Sequence, residues 1–307
     1  MPRIAVVGSC NVDLTTFTDR FPRPGETLFG TGFDLGFGGK GANQAFAARR
    51  CGAEVAMIAC VGGDLFGQAT ARNFETAGID TSHVRVVEGV PTGVAPIFVD
   101  ATGQNRIIVV KGANDLLTPG DVDAAEPVLS RADCVVLQFE VPLETVVHTA
   151  RVAREHGIRT IVNPAPAMKI DLKKLAGVDY FVPNETEAEA LTGFELRTES
   201  DLSACARVLL EQGFRRVILT LGARGALLAG DGTIELVQGF RVDTRDTTGA
   251  GDAFIGSFAT FLAEGVLERE AIRRANLYAA LSTTRVGTQK SFVTREEFEA
   301  VRASVSE

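Results

Sequence analysis

Short apolar runs alternate with helical patterns along most of this chain. Strands that alternate with helices predict a mostly parallel sheet with helices on both faces. The sequence contains no internal repeat, low-complexity tract or long linker. We therefore expect one large α/β domain over residues 1–307. The predicted strands are 3–9, 54–61, 133–137, 159–163, 179–182, 216–221 and 225–229. The predicted helices are 45–50, 66–77, 143–156, 186–192, 200–212, 251–264, 268–286 and 294–301.

Two segments, at about 14–36 and 92–110, depart from this alternation. The first consists of short pieces punctuated by Pro22, Pro24 and Gly25. The second has two apolar runs around a turn at 101–105, which is typical of a hairpin. We expect the two segments to pair into a small β-sheet that covers a site as a lid.

Charge and composition exclude several classes of protein. The 307 residues carry 31 basic and 39 acidic side chains, a net charge of −8, and no basic run, so a nucleic-acid partner is not expected. No apolar stretch is long enough for a signal peptide or a membrane span. The five cysteines form no CxxC pair and the three histidines share no ligand spacing. We expect a reduced, cytoplasmic protein with no membrane partner.

The strongest candidate for a catalytic motif is the stretch 246–252, Asp-Thr-Thr-Gly-Ala-Gly-Asp. A β-rich run precedes it and an apolar helix pattern follows, so it is predicted to be a turn that begins a helix. A helix N-terminus offers free N–H groups and a positive dipole end to an anion. Asp252 in the first turn could accept a proton, which fits phosphoryl transfer to a hydroxyl. An ordinary glycine turn with a charged helix end explains this heptapeptide alone equally well.

A second glycine-rich turn, at 36–44, leads into another helix and contains Lys40 and Asn43. It is not a Walker A loop, because Gly41 follows the lysine where Ser or Thr is required. Asn11 and Asp13 follow the first predicted strand at alternate positions, so their side chains point to one side of an extended segment. These features fit a polyhydroxyl ligand, although a turn and a solvated lysine are the simpler alternatives.

Further polar residues follow other predicted strands. Each one alone is more typical of a cap or turn, but all fall at the sheet edge where open α/β folds bind ligands. They are Glu140, Asn163, Asn184, Glu187 and the turn 220–225.

Eight motifs together resemble the PfkB carbohydrate kinase family over essentially the whole chain. GGKGAN and DTTGAGD, in this order and at this distance, carry most of the resemblance. The motifs are GSCNVD (8–13), PGET (24–27), GGKGAN (38–43), NPAPA (163–167), PNETEAE (183–189), TLGARG (220–225), DTTGAGDAF (246–254) and TRVGTQKS (284–291). The resemblance implies a ribokinase-like three-layer α/β/α sandwich with a small β-sheet lid, and a homodimer formed through that lid.

The resemblance also implies ATP-dependent phosphorylation of D-ribose at O5, with Mg²⁺ and an activating K⁺. Asp252 then acts as the base, and the N–H groups of Gly249, Ala250 and Gly251 form the anion hole. The implied sugar site is Asn11, Asp13, Gly39, Lys40, Gly41, Asn43, Glu140 and Asp252. The implied ATP site is Asn184, Thr220, Leu221, Gly222, Ala223, Arg224, Gly225, Gly251 and Asn276. The implied K⁺ loop is Asp246, Thr248, Ser282, Arg285, Gly287 and Ser291, with Glu187 acting indirectly on Mg²⁺.

Other substrates remain open at this stage. Relatives within the family act on deoxyribose, fructose, a keto-deoxy sugar acid or a nucleoside. Asn11 favours ribose, because a 2-hydroxyl needs a polar partner and deoxyribose-preferring relatives carry an apolar residue there. A sugar sensor without turnover is the alternative from another class, but Asp252, Glu187 and Lys40 are all present.

Overall fold

The computed structural model describes residues 1–305. Its strands are β1 (Arg3–Val7), β2 (Asn11–Phe17), β3 (Gly32–Gly38), β4 (Glu54–Gly62), β5 (Asp80–Val87), β6 (Gly93–Val99), β7 (Asn105–Ile107), β8 (Cys134–Leu137), β9 (Arg159–Val162), β10 (Tyr180–Phe181), β11 (Arg216–Thr220), β12 (Gly225–Gly230) and β13 (Thr233–Gln238).

The helices fill the connections between these strands. They are α1 (Lys40–Arg50), α2 (Leu65–Ala77), α3 (Pro119–Ala124), α4 (Glu126–Leu129), α5 (Leu143–Glu155), α6 (Glu185–Thr192), α7 (Glu199–Leu210), α8 (Ala250–Ala263), α9 (Glu268–Ser282) and α10 (Arg295–Ser304). Short 3₁₀ turns lie at Gly112–Leu116, Leu172–Leu175, Gly222–Arg224 and Gln289–Ser291. None of the helices described is both long enough and apolar enough to cross a membrane.

The main sheet has the strand order β13-β12-β11-β10-β9-β8-β1-β4-β5. Its strands are parallel from β11 to β5, and β12 and β13 continue it as antiparallel strands. The chain runs outward from β1 in both directions, first to β4 and later to β8. Ligand sites in open α/β folds lie at the carboxyl ends of the strands beside such a switch.

The two faces of the sheet are both buried, which explains why β1 is apolar at every central position. Ile4 and Val6 belong to one hydrophobic core, and Ala5 and Val7 belong to the other. Helices α1, α2, α8, α9 and α10 contribute to the first core, and α3 to α7 contribute to the second. The result is the predicted three-layer α/β/α sandwich, and the fold class is confirmed.

A second sheet, with the order β3-β2-β6-β7, stands apart from the main one. Here β2 pairs antiparallel with β3 and parallel with β6, and Asn11 begins both pairings opposite Gly38 and Gly93. We call these strands, β2, β3, β6 and β7, the small sheet. Its strands come from the two segments at about 14–36 and 92–110 that depart from the alternation of strands and helices. One boundary differs: β2 begins at Asn11, three residues before the predicted start of the first segment.

Several predicted boundaries were wrong. The first strand ends at Val7 rather than at residue 9, and the helix predicted from residue 45 begins at Lys40. The helix predicted to end at 286 ends at Ser282, and residues 283–291 form a loop with one 3₁₀ turn instead. The edge strand β5 was not predicted, because exposed and half-buried positions are mixed along it and give no clear alternation.

Candidate active site

Two cavities meet at the carboxyl edge of the main sheet. The larger, of about 660 Å³, lies between the 220–225 turn, the segment 239–247 and α9. The smaller, of about 170 Å³, lies over the start of α8 and includes Lys40 and Asp252. Both are lined by Asn184, Thr220 and Gly251, so the N-terminus of α8 stands at their junction.

Glycine is required where α8 begins. Gly249 is the N-cap residue with φ of 76°, in the left-handed region, and an added Cβ would lie 2.5 Å from Cγ2 of Thr288. The N–H of Ala250 donates to the carbonyl of Thr247 at 3.2 Å. The next two N–H groups, of Gly251 and Asp252, have no acceptor within the helix because they belong to its first turn. An anion at the junction would therefore meet these two donors first.

Asp252 is buried, and both of its carboxylate oxygens accept hydrogen bonds from side-chain amides. Nδ2 of Asn43 lies 2.9 Å from Oδ2, and Nε2 of Gln44 lies 2.9 Å from Oδ1. Burial raises the pKa of Asp252 above its ordinary value, while Lys40 and the two amides oppose that rise. The carboxylate is thus fixed in orientation and has an increased affinity for a proton, as a general base requires.

Lys40 is surrounded by carboxylates. Burial lowers its pKa, but the negative charges of Asp252, Glu140 and Glu187 outweigh burial and the net shift is upward. The ammonium group therefore stays charged at neutral pH. The backbone N–H of Lys40 and the hydroxyl of Ser9 both donate to Oε2 of Glu140, at 2.9 and 2.6 Å. These bonds tie the glycine-rich turn to the ends of β1 and β8.

The predicted sugar residues of β2 also lie at this edge. Asp13 packs over Gly38, where an added Cβ would come 2.4 Å from Oδ2 of Asp13. Burial, then the charges of Glu140 and Asp252, raise the pKa of Asp13 to about 6. Gly39 has φ of 87° and Gly41 packs against the backbone of Ser9, so neither position has room for a side chain.

Asn11 is buried, and its Oδ1 accepts a hydrogen bond from Nδ2 of Asn114 at 2.9 Å. The orientation of Asn114 is fixed in turn, because its Oδ1 accepts from the N–H of Cys10 at 2.8 Å. The oxygen of Asn11 is therefore occupied, and its NH₂ group is the end left for a ligand.

The predicted ATP residues divide into two groups. Asn184, Thr220, Gly222, Ala223, Gly225, Gly251 and Asn276 line the larger cavity. Leu221 and Arg224 do not: Leu221 is packed in the core, and Arg224 forms an ion pair with Glu185. The amide of Asn276 donates to the carbonyls of Val237 and Gln238, so the residue braces the cavity wall.

Asn184 and Glu187 form a capping box at the start of α6. Oε2 of Glu187 accepts from the N–H of Asn184 at 2.9 Å and from Nδ2 of Asn163 at 3.4 Å. Glu187 lines the smaller cavity, and burial raises its pKa. A buried carboxylate at this position could act on a metal-bound water molecule without holding the metal directly.

The predicted cation loop forms one connected structure. Asp246 accepts from the N–H groups of Thr248 and Gly287, both at 2.9 Å. Burial raises the pKa of Asp246, but the hydrogen bonds from Thr248 and Gly287 outweigh it and the net shift is downward. The guanidinium of Arg285 pairs with Glu297 of α10, so that group is engaged outside the loop. Within residues 1–305 there is no cluster of three or more His, Cys, Asp or Glu side chains that could hold a metal.

Sequence reasoning missed several side chains of the site. They are Ser9, Gln44, Asn114, Gln138 and Gln289. Gln44 directly follows Asn43 and could have been found as its neighbour in α1, and Ser9 and Gln289 lie inside two of the quoted motifs, GSCNVD and TRVGTQKS. Asn114 and Gln138 are joined to the site through contacts between distant parts of the chain.

This fold and site define a phosphotransferase of the sugar kinase type, and comparison with known proteins agrees. The chain belongs to the PfkB family: the model of the pfkB family carbohydrate kinases matches residues 1–295. The resemblance seen in the motifs is thus confirmed, and the chain is a carbohydrate kinase.

The relatives of this chain are named as kinases of two different sugars. It is 45% identical over 296 residues to a deoxyribokinase of Salmonella typhi, covering 96% of this chain and 97% of that protein. It is 41% identical over 294 residues to the ribokinase of Haemophilus influenzae, covering 96% of both chains. The ribokinase structure from Thermotoga maritima matches with a TM-score of 0.89 at 38% identity, covering 98% and 99%. The Arabidopsis thaliana ribokinase complexed with ribose and ATP matches with a TM-score of 0.90 at 29% identity, covering 98% of each chain.

Proposed function

We propose that this kinase transfers the terminal phosphoryl group of ATP to O5 of D-ribose, giving ribose 5-phosphate and ADP. One observation carries the proposal: Asp252, a buried carboxylate, lies in the first turn of the helix that separates the two cavities. In this arrangement the sugar hydroxyl approaches Asp252 and the phosphates of ATP approach from the larger cavity.

Asp252 takes the proton from O5 as the hydroxyl attacks the terminal phosphorus. The bond from that phosphorus to the β–γ bridging oxygen breaks, and ADP leaves. The N–H groups at the start of α8 and the helix dipole stabilise the charge on the transferred group, with Gly249, Ala250 and Gly251 forming the turn. Lys40 adds a positive charge beside the reacting oxygens, and alignment supplies most of the remaining acceleration.

ATP occupies the larger cavity, with Thr220, Gly222, Ala223 and Gly225 along the phosphates and Asn276 in the wall. Mg²⁺ entering with ATP would neutralise phosphate charge. Oε2 of Glu187 is engaged by Asn184 and Asn163, so Oε1 would be the atom left to accept a hydrogen bond from a metal-bound water. An activating K⁺ would be held by the loop formed by 246–248 and 282–291, whose backbone carbonyls, with Asp246 and Ser291, offer oxygen ligands of the kind that this ion prefers.

The sugar lies among Asn11, Asp13, Lys40, Asn43 and Glu140, close to the backbone of Gly39 and Gly41. The NH₂ group of Asn11 donates to the 2-hydroxyl, because its oxygen is already bound to Asn114. A site that presents a buried donor to a hydroxyl disfavours a substrate without that hydroxyl. This is the reason for proposing ribose.

Phosphorylation of 2-deoxy-D-ribose is the second candidate, since a relative of 45% identity is named deoxyribokinase. The two sugars differ only at C2, so the same base and the same anion site serve both. Asn11 is the residue whose contact distinguishes them.

We also propose a homodimer in which two small sheets clasp each other as lids. Phe29 and Phe33 are 97% and 65% exposed, and Ile107, Ile108 and Val109 extend the apolar surface. Phe33 and Ile107 lie on strands of the small sheet and the others on the segments next to those strands. Exposed apolar area of this kind is typical of an interface. A second copy of the same sheet would cover it.

A coupled ADP-release assay tests the function directly. The panel is D-ribose, 2-deoxy-D-ribose, D-fructose and adenosine, each with K⁺ or with Na⁺ at equal ionic strength. We expect the highest kcat/KM with ribose, an increase with K⁺, and a product that carries phosphate on C5 by ³¹P NMR. Higher kcat/KM with another acceptor would overturn the choice of ribose, and no sugar-dependent ADP release would overturn the kinase assignment.

A further inference from the structure

Three buried glutamines surround the side chains that hold Asp252: Gln44 contacts Asp252 directly, and Gln138 and Gln289 lie one residue further away. Gln44 and Gln138 are fully buried and Gln289 is 8% exposed. They come from α1, from the end of β8 and from the 3₁₀ turn Gln289–Ser291. Buried amides cost free energy unless they are paired, so their arrangement needs an explanation.

We propose that Gln138 and Gln289 are positioning residues: through two chains of side-chain amides they force Gln44 and Asn43 to present NH₂ donors, not carbonyl oxygens, to Asp252. The proposal rests on the proposed role of Asp252 as the base. It concerns side chains that act on the carboxylate through another residue.

The first chain runs from β8 to Asp252. Nε2 of Gln138 donates to Oε1 of Gln44 at 2.7 Å. The oxygen of Gln44 is thereby occupied, and its Nε2 donates to Oδ1 of Asp252 and to Oδ1 of Asn163, at 2.9 and 3.2 Å.

Asn163 fixes the direction of this chain independently. Its Nδ2 donates to the backbone carbonyl of Val182 at 3.0 Å, and a carbonyl can only accept. Oδ1 of Asn163 must therefore face Gln44, which requires Gln44 to present its NH₂ group there.

The second chain reaches Asp252 from the opposite side. Nδ2 of Asn73 donates to Oε1 of Gln289 at 2.9 Å, and Nε2 of Gln289 donates to Oδ1 of Asn43 at 3.1 Å. Nδ2 of Asn43 then donates to Oδ2 of Asp252. Each amide in the chain accepts at its oxygen and donates at its nitrogen, so all the dipoles point toward the carboxylate.

If Gln289 is removed, the oxygen of Asn43 loses its donor and the amide can rotate by half a turn; if Gln138 is removed, the oxygen of Gln44 loses its donor and only Asn163 still opposes the same rotation. A carbonyl oxygen would then face a carboxylate oxygen at hydrogen-bond distance, which repels the ionised form. The other charged groups that act on Asp252 are Lys40, Glu140, Glu187 and Asp13. None of them donates a hydrogen bond to it within the part of the chain described, so they cannot replace the lost orientation.

Gln138→Met tests the proposal with little risk to folding. Methionine has a similar shape, and Oε1 of Gln138 is a buried acceptor with no partner among the described residues, so the cost to folding is limited to the unpaired Oε1 of Gln44. We expect a modest fall in Tm with a native circular dichroism spectrum, kcat lower by about tenfold, KM for the sugar within about threefold, and the acid limb of the kcat–pH profile moved up by about one pH unit. A profile and kcat equal to those of the wild type would overturn the proposal.

Gln289→Met repeats the test on the second chain, and the same shift of the acid limb is expected. Thr260→Val is the matched control, because the Thr260 hydroxyl is buried on the same helix as Asp252 and, among residues 1–305, donates only to the carbonyls of Ala48 and Gly256. Its kcat–pH profile should match the wild type. If Thr260→Val shifted the acid limb by as much, the proposal would be overturned, because removal of any buried polar group near α8 would then have this effect.

The assays use whichever sugar gives the highest turnover, so an error in the proposed substrate leaves them valid. If Asp252→Asn keeps full turnover, the base assignment fails and this inference fails with it. If Asp252→Asn loses turnover while Gln138→Met and Gln289→Met behave as wild type, only the positioning role is overturned.

Discussion

Nδ2 of Asn114 donates a hydrogen bond to Oδ1 of Asn11 at 2.9 Å, across 103 positions of sequence. Asn114 lies in the 3₁₀ turn where the chain returns from the small sheet, and it also binds the carbonyl of Cys10. The contact fixes which end of the Asn11 amide is free for a ligand. If Asn11 contacts C2 of the sugar as proposed, selectivity there depends also on Asn114, a residue outside the recognisable sugar motifs.

The first prediction concerns Asn11→Met. On the proposed function, the change would remove a donor to the 2-hydroxyl of ribose and would cost 2-deoxyribose no contact. We expect kcat/KM for ribose to fall by about 10–100-fold, and that for 2-deoxyribose to change by less than about threefold. Asn105→Met, an exposed substitution on the small sheet, serves as the control. An equal fall for both sugars would refute the role of Asn11 at C2.

Substitution of Gly251 by alanine should affect stability and activity differently. An added Cβ there would meet no protein atom within 4 Å, and the residue lies inside α8. Gly251→Ala should therefore keep or raise stability by up to about 1 kcal/mol, measured by urea unfolding. The same methyl group would occupy the junction of the two cavities, so kcat should fall at least about tenfold. Full activity in this variant would mean that phosphate does not approach the start of α8.

Titration of Asp13 should make the free energy of unfolding depend on pH. Its pKa of about 6 is above the pKa of an Asp side chain in the unfolded chain. The stabilising contribution of its protonated carboxyl to the free energy of unfolding is therefore fully present below about pH 4 and is lost as the pH rises through 6. The variant Asp13→Asn has no carboxyl at this position, so its stability does not show this loss. Between pH 5 and 7.5 the free energy of unfolding of Asp13→Asn should rise by about 1 kcal/mol relative to the wild type. Urea unfolding at the two pH values measures this, and a constant difference would show that Asp13 does not titrate in this range.

The proposed dimer is tested by light scattering. Phe33 is on β3 and largely exposed, so Phe33→Asp should convert a dimer at micromolar concentration into a monomer. Leu267→Asp is the control: Leu267 is 81% exposed and precedes α9, which packs on β12 and β13 of the main sheet. A wild-type protein that is monomeric, or a Phe33→Asp variant that stays dimeric, would argue against the interface.

Local pattern in the sequence predicted the fold well because the main sheet is buried on both faces. Continuous apolar strands and amphipathic helices are then both visible in short windows. The failures have physical causes. The helix predicted to end at 286 ends at Ser282, where Asp246 ties down the backbone of Gly287 through a contact between distant segments.

The site was predicted where it depends on short motifs and missed where it depends on tertiary contacts. The glycines of 38–41 and 249–251 lie where backbones pack closely or cavities meet, and only glycine suits several of these positions. Gln289 and Asn43 are 246 positions apart, so no periodicity in the sequence could join them. The predicted roles of the site residues stay predictions until variants are measured.

The central claim is that Asp252 is the base, and Asp252→Asn tests it most directly. The measurement pairs single-turnover phosphoryl transfer with calorimetric titration of the sugar. The control is Asp201→Asn, which removes a carboxylate from the equivalent first-turn position of α7. We predict that Asp252→Asn binds ribose with nearly unchanged affinity and transfers phosphate about 10²–10⁴-fold more slowly, while Asp201→Asn keeps its rate. Transfer at the wild-type rate by Asp252→Asn would contradict the account.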